Sequence, residues 1–183
     1  MIYFRVLTAC LLFIISGCVV VEQPYNKASQ LAVSSVWDIP TTYARQNTFA
    51  LAPKYLDEVS LKPQEQQRAY QLYSDAISRN LVNNGYYQTN GQANFYVGFG
   101  VALAQDLNDK TIGNKFGVTP GLQEAEGLEK GSFLIYVEDA VTQQRIWRGT
   151  VQGFVQEDYT QEERNKRIEK VVNMVLVQFY RGG

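Results

Sequence analysis

Asn94-Phe-Tyr-Val-Gly-Phe-Gly-Val-Ala-Leu103 alternates without a break, with Phe95, Val97, Phe99, Val101 and Leu103 on one face and Tyr96, Gly98, Gly100 and Ala102 on the other. Side chains of a strand point alternately to its two faces, so one apolar layer must lie beneath this segment. The Gly98/Gly100 face lets another backbone or an aromatic ring approach closely, because no Cβ stands in the way. Two further strands follow, Ser132 to Asp139 and Arg145 to Val155, joined by a turn around Ala140 to Gln144. With Asp139 opposite Arg145, Val137 faces Trp147 and Phe133 faces Val151 on one side, and Tyr136 faces Arg148 on the other. That register makes both faces coherent.

Upstream, Leu31 to Trp37 and Asn47 to Leu51 read as short strands separated by a turn region at Pro40-Thr41-Thr42. From Pro63 to Asn83 the period changes, with Ala69, Leu72, Tyr73, Ala76, Ile77 and Leu81 recurring three and four residues apart, which predicts an amphipathic helix. Pro63 suits its first turn, and Asn83-Asn84-Gly85 ends it, since glycine enters the left-handed region cheaply. Thr160 and Glu163 form a capping box before a final helix with one apolar stripe: Ile168, Val171, Val172, Val175, Leu176 and Phe179. Residues 105 to 131 hold five glycines, Pro120 and scattered charges, and read as a long loop, at most with a small hairpin inside it. The order β(β)-α-β-β-β-α predicts an α+β fold, an antiparallel β-sheet with two amphipathic helices packed on one face. Its second face and the edge near the early strands are expected to be available.

At the other end of the chain, Leu12-Phe-Ile-Ile-Ser-Gly-Cys18 closes an apolar run in two small residues and a cysteine. The run from Val6 to Ile15 is far shorter than the roughly 20 residues of a bilayer span. An ordinary secretory signal needs no cysteine after its cleavage site. The stretch resembles a bacterial lipoprotein signal, which implies cleavage between Gly17 and Cys18 and a diacylglycerol on the Cys18 thiol. Val19 stands where inner-membrane retention typically uses aspartate, so the resemblance implies the periplasmic face of the outer membrane. The expected organisation is a signal peptide at 1–17, a lipidated tether at 18–30 and a single α+β domain at 31–183, a length sufficient for one core.

With 17 basic and 18 acidic residues the chain is close to neutral, which argues against nucleic acid as a partner. There is no histidine, and the two cysteines fall at 10 and 18, so the folded domain has neither thiol nor disulfide. Cys-His and Ser-His-Asp catalysis are excluded, and the usual zinc ligands are missing. No catalytic residue, no metal site and no cofactor are expected. Glu124, Glu126 and Glu129 read as a solvated loop rather than an acid-base pair. Asp106, Asn108 and Asp109 lack the glycine and the closing glutamate of a calcium loop.

The Trp147-Arg148-Gly149 triplet after an Asp139-Ala140-x-Thr142 turn resembles the domain of unknown function 4136 family of bacterial envelope lipoproteins. Thr48-Phe49-Ala50, Leu81 to Gly85-Tyr86, Asn94 to Val101 and Gly131 to Asp139 carry the resemblance further, over roughly Val33 to Tyr180. Members often have Thr-Gly in the turn, where this chain has Thr142-Gln143. The resemblance implies an envelope lipoprotein domain and no established activity.

Trp147 reads as core, beside Val137, and Gly149 as making room for Ile135. Arg148 points the other way, where Tyr136 could stack on it. Arg148, Tyr136 and Tyr96 are the candidate binding residues. Among the tyrosines near element ends, Tyr55, Tyr86, Tyr87 and Tyr159 are expected to be exposed contacts. The expected role is that of a non-enzymatic interaction module, held to the membrane through lipid on Cys18 and binding a periplasmic envelope protein or other component. The alternative is a carrier or sensor of a small apolar ligand held between sheet and helices.

Overall fold

The computed structural model describes residues 26–52, 63–103 and 108–182. Cys18, most of the proposed tether, Tyr55 and Asp106 lie outside them. Among the described residues six strands run as β1 (Leu31–Trp37), β2 (Thr48–Leu51), β3 (Tyr87–Gln88), β4 (Phe95–Leu103), β5 (Lys130–Asp139) and β6 (Arg145–Phe154). Three α-helices of the described residues are interleaved with them, α1 (Pro63–Asn83), α2 (Asp109–Phe116) and α3 (Gln161–Arg181). The strands form one sheet in the order β1-β6-β5-β4-β2-β3.

The sheet is mixed, which corrects the purely antiparallel expectation. The pairs β1–β6, β6–β5 and β5–β4 are antiparallel, but β2 lies parallel to both β4 and β3. The reason is the connection: β2 leads through the long helix α1 before the chain returns to the sheet, and a helical crossover returns it in the same direction.

Alternation decides which face holds the core. Phe95, Val97 and Phe99 of β4, Phe133, Ile135 and Val137 of β5, and Trp147 and Val151 of β6 are all buried beneath α1 and α3. The helices contribute Ala76, Ile77 and Leu81 from α1 and Val171, Val172, Val175, Leu176 and Phe179 from α3. Stacked rings link the layers, Tyr73 on Phe133 at 4.7 Å and Tyr70 on Phe99 at 4.5 Å. The stop after α1 forms as the sequence requires, with Gly85 at φ +91° and its carbonyl accepting from Gln46 N at 2.7 Å. Thr160 caps α3 with both halves of the capping box in place.

Three expectations need correction here. The register of β5 on β6 holds for Val137 with Trp147, Phe133 with Val151 and Tyr136 with Arg148, but a bulge places Glu138, not Asp139, opposite Arg145. Ile146 is the extra residue, and its carbonyl accepts from Asp38 N and Ile39 N at 2.8 and 3.2 Å. A bulge sends two consecutive side chains toward one side, and both Ile146 and Trp147 are core residues. Second, the presumed loop contains α2, capped by the Asn108 side chain on Thr111 N and closed by Gly117 at φ +63°. Third, α2 covers part of the back face, where Ile112 and Phe116 pack on Ala102 and Leu134. That face is therefore only partly available. The end of the proposed tether is also ordered, since Lys27–Ser29 forms a 3₁₀ turn whose Ala28 carbonyl accepts from Gln156 at 2.9 Å.

Candidate functional site

The residues that carried the family resemblance are occupied with the fold. Asp139 Oδ1 accepts from Val141 N, Thr142 N and Thr142 Oγ1, and its Oδ2 accepts from the Tyr43 hydroxyl at 2.7 Å. These hydrogen bonds, led by the one from Thr142 N, hold the carboxyl below its usual range. They build the turn and pin it to Tyr43, whose ring lies 4.7 Å from Phe95. Asp139→Ala is expected to cost about 1 to 2 kcal/mol, modest because most of these bonds are at the surface. Chemical denaturation with an unchanged m-value would measure it. In the same turn Gln143 has φ +57°, the conformation for which glycine is suited. Gln143→Gly should therefore raise stability by about 0.5 kcal/mol, read as an upward shift in melting temperature.

Trp147 is fully buried, 5.3 Å from the Phe179 ring. Gly149 does lie opposite Ile135, but the room it makes is for other groups. A Cβ there would sit 2.4 Å from Val175 Cγ2 and 2.8 Å from Trp147 Cη2, so the bare glycine lets α3 press onto β6.

The three candidate binding residues share the back face. Tyr136 and Arg148 are directly paired across β5 and β6, and Tyr96 lies diagonally beyond, opposite Glu138 on β4. Gly98 does admit an aromatic ring: a Cβ there would be 2.1 Å from Tyr136 Cζ, so the tyrosine folds over β4. Burial, reinforced by the Glu138 charge and opposed by Arg145, raises the Tyr136 phenol. Arg148 Nη2 pairs with Asp38 Oδ1 at 2.9 Å, while Asp38 Oδ2 takes Arg145 Nε at 2.9 Å. Gly117 sits over the same guanidinium. Asp38 is the partner the sequence did not reveal, since it lies 107 residues from Arg145. The result is a half-buried surface of two tyrosines and alternating charges beside α2.

Farther along the back face Lys130 is almost buried, with Nζ 2.9 Å from Asp109 Oδ2 and 3.4 Å from the Leu122 carbonyl. The buried Gln152 amide also donates to Asp109 and accepts from Leu122 N. This cluster fastens α2 and the following loop to the sheet. Glu124, Glu126 and Glu129 are exposed, and no metal-holding group of carboxylates occurs among the described residues. Of the tyrosines expected at the surface, Tyr87 is 56% exposed, but Tyr86 is buried, its ring edge-on to Phe95.

Between the helices and the sheet, at the end marked by Gly131 and Gly153, a cleft of about 160 Å³ opens among Leu31, Tyr73, Val101, Phe133, Val151 and Arg167. It does not lie beside Gly98 and Gly100. Those glycines alternate with Phe99 and so belong to the opposite face.

These features define a class: an α+β domain with a mixed sheet, two helices covering one face and a short helix on part of the other. The chain belongs to the family described as a domain of unknown function (DUF4136), whose model matches residues 33–179. No match is found among the curated proteins. A PDZ domain protein from Parabacteroides distasonis is similar in structure, with 13% identity, a TM-score of 0.55, and coverage of 82% of this chain and 36% of that one. A PelC dodecamer from Paraburkholderia phytofirmans shares 10% identity and a TM-score of 0.50, covering 80% of this chain and 95% of that one. A DUF4136 family protein from Bacteroides thetaiotaomicron is 13% identical, with a TM-score of 0.48 and coverage of 81% and 95%. At such identities the likeness concerns the fold.

Proposed function

We propose that this protein is a lipid-anchored lipoprotein on the periplasmic face of the outer membrane, acting as a non-enzymatic interaction module for an envelope component. The observation that carries this reading is the open sheet. Among the described residues β1 pairs only with β6, and β3 at the other edge is two exposed residues long. Edge strands present unpaired backbone donors and acceptors to which an extended segment of a partner can add. From Cys18 to Leu31 the chain can reach at most about 45 Å, so β1 stays near the membrane to which Cys18 would be attached.

Two measurements test this. Palmitate fed to cells should label the wild type and not Cys18→Ala, and only the wild type should fractionate with outer membranes; an unlabelled wild type would sink the anchoring. A photocrosslinking residue placed at Ser35 on β1 or at Gln88 on β3 should capture one or two envelope proteins at near-stoichiometric yield. Background capture at both edges would end the interaction reading. The cleft beneath the helices favours a second reading, that of a carrier or sensor for a small apolar ligand.

A further inference from the structure

Among the described residues the wall of that cleft holds one charged group, and its surroundings are unusual for a cation. Arg167 lies on the apolar stripe of α3, one turn before Val171, which also lines the cleft. Its Nη2 donates to the Phe154 carbonyl at 3.0 Å, and its guanidinium carbon stands 6.0 Å from the centre of the Tyr159 ring. No carboxylate pairs with it among the described residues, although a guanidinium offers five N–H donors and a half-buried charge is costly without a counter-ion. β6 gives up a side chain to admit it. A Cβ at Gly153 would sit 2.5 Å from Leu31 Cδ2 and 2.7 Å from Arg167 Nη2. Opposite stands Tyr73, whose phenol is pushed up to about 12 by burial, against the effect of the Arg167 charge, and so stays neutral at physiological pH.

We propose that this cleft binds a small apolar carboxylate, its hydrocarbon end between α1, α3 and the sheet and its carboxylate paired with Arg167. This deepens the carrier reading and rests on it. Size limits the enclosed part: a cavity of about 150 Å³ lined by aliphatic and aromatic side chains holds a benzene ring, so this cleft encloses a phenyl group or about six carbons of a chain, and the last carbons of an octyl chain extend through its open mouth. Leu31, Val101, Phe133, Val151 and Val171 supply the apolar wall. Arg167 supplies the paired donors that match a carboxylate.

The test uses the mature chain with Cys18→Ser, purified without detergent, and three probes of equal chain length: octanoate, octanol and octyltrimethylammonium. Calorimetry should show octanoate binding at least tenfold more tightly than octanol, and octyltrimethylammonium not at all. The methyl resonances of Val101, Val151 and Val171 should move. Arg167→Gln should erase the preference for octanoate and leave octanol affinity unchanged. Gly131→Val should block both ligands while leaving the melting temperature within a few degrees. A Cβ at Gly131 meets only Val155 Cγ2 at 3.6 Å and the Ala102 carbonyl at 3.8 Å, both ordinary contacts. Equal binding of octanoate and octanol at the same methyls would overturn the carboxylate assignment and leave the carrier reading standing. Binding of none of the three would overturn both. Octanoate binding that survives both substitutions would place it elsewhere and end the proposal.

Discussion

Trp147→Ala is expected to lower stability by about 4 kcal/mol, the scale of a large aromatic truncated in a close-packed core. The indole is fully buried and sits between Phe179 of α3 and Gly149 of its own strand, where no neighbouring Cβ can follow the ring as it leaves. Trp37, paired with it on β1, is stacked on the same Phe179 ring at 5.4 Å, so the cavity would loosen the junction of β1, β6 and α3 together. For a domain of this size each kcal/mol moves the melting temperature by about 2 to 4 °C, so a fall on the order of 10 °C should be seen. Trp147→Phe should cost much less. The indole N–H is buried without a partner, and removing it relieves a desolvation penalty that offsets part of the lost volume. A melting temperature for Trp147→Ala within error of wild type would show that the residue does not serve the core.

The second large effect lies on the opposite face. Asp109→Ala would strand Lys130, whose side chain is only 8% exposed, with the Leu122 carbonyl at 3.4 Å and the solvent-exposed Glu124 carboxylate at 4.0 Å as its remaining partners. Because Asp109 is itself 37% exposed, water can reach part of the vacated site, and the expected loss is about 2 to 3 kcal/mol rather than the full cost of an isolated buried charge. It should be local as well as global: α2 amides should exchange faster, since this contact and the Ile112 cluster are what hold α2 to the sheet. Lys130→Met in the Asp109→Ala background should recover most of the loss by removing the stranded charge. No recovery, together with unchanged α2 exchange, would show that the pair does not fasten the helix.

The sign of the pH dependence follows from the same pair. Burial pushes the Asp109 carboxyl up, but hydrogen bonds from Lys130 and Gln152 and the Lys130 charge outweigh it, leaving the folded value lowered. A lowered folded value means that its contribution is complete above the ordinary carboxylate range near pH 4 and is lost as pH falls through the folded value. Asp139 acts in the same sense. The wild type should therefore lose stability below about pH 4 more steeply than Asp109→Ala does, and urea midpoints from pH 7 to pH 3 would measure the difference.

Most of the two-layer core was legible because it depends on period. The strand pattern of 95–103, the stripe of 69–81 and that of 168–179 each specify one apolar face, and Leu31–Trp37 and Pro63–Asn83 have the bounds their residues imply. The short helix α2 was less visible. Its eight residues include Gly113, and its signals were local, an Asn108 cap and a left-handed Gly117. The candidate site was legible in part. Alternation and register brought Tyr96, Tyr136 and Arg148 to one face, but the pairing of Arg148 with Asp38 joins segments far apart in the chain and has no local signature.

By itself the sequence determined the alternating strands, the helix stripes, the caps and the absence of histidine and thiol chemistry from the domain, because each depends on residue type and short-range spacing. Tertiary structure alone decided that β2 runs parallel to its neighbours, that Ile146 makes a bulge, that α2 closes part of the back face and that Arg167 is left, among the described residues, without a carboxylate beside an apolar cleft. These outcomes rest on contacts between residues distant in the chain, where packing and charge pairing are settled only once the layers meet.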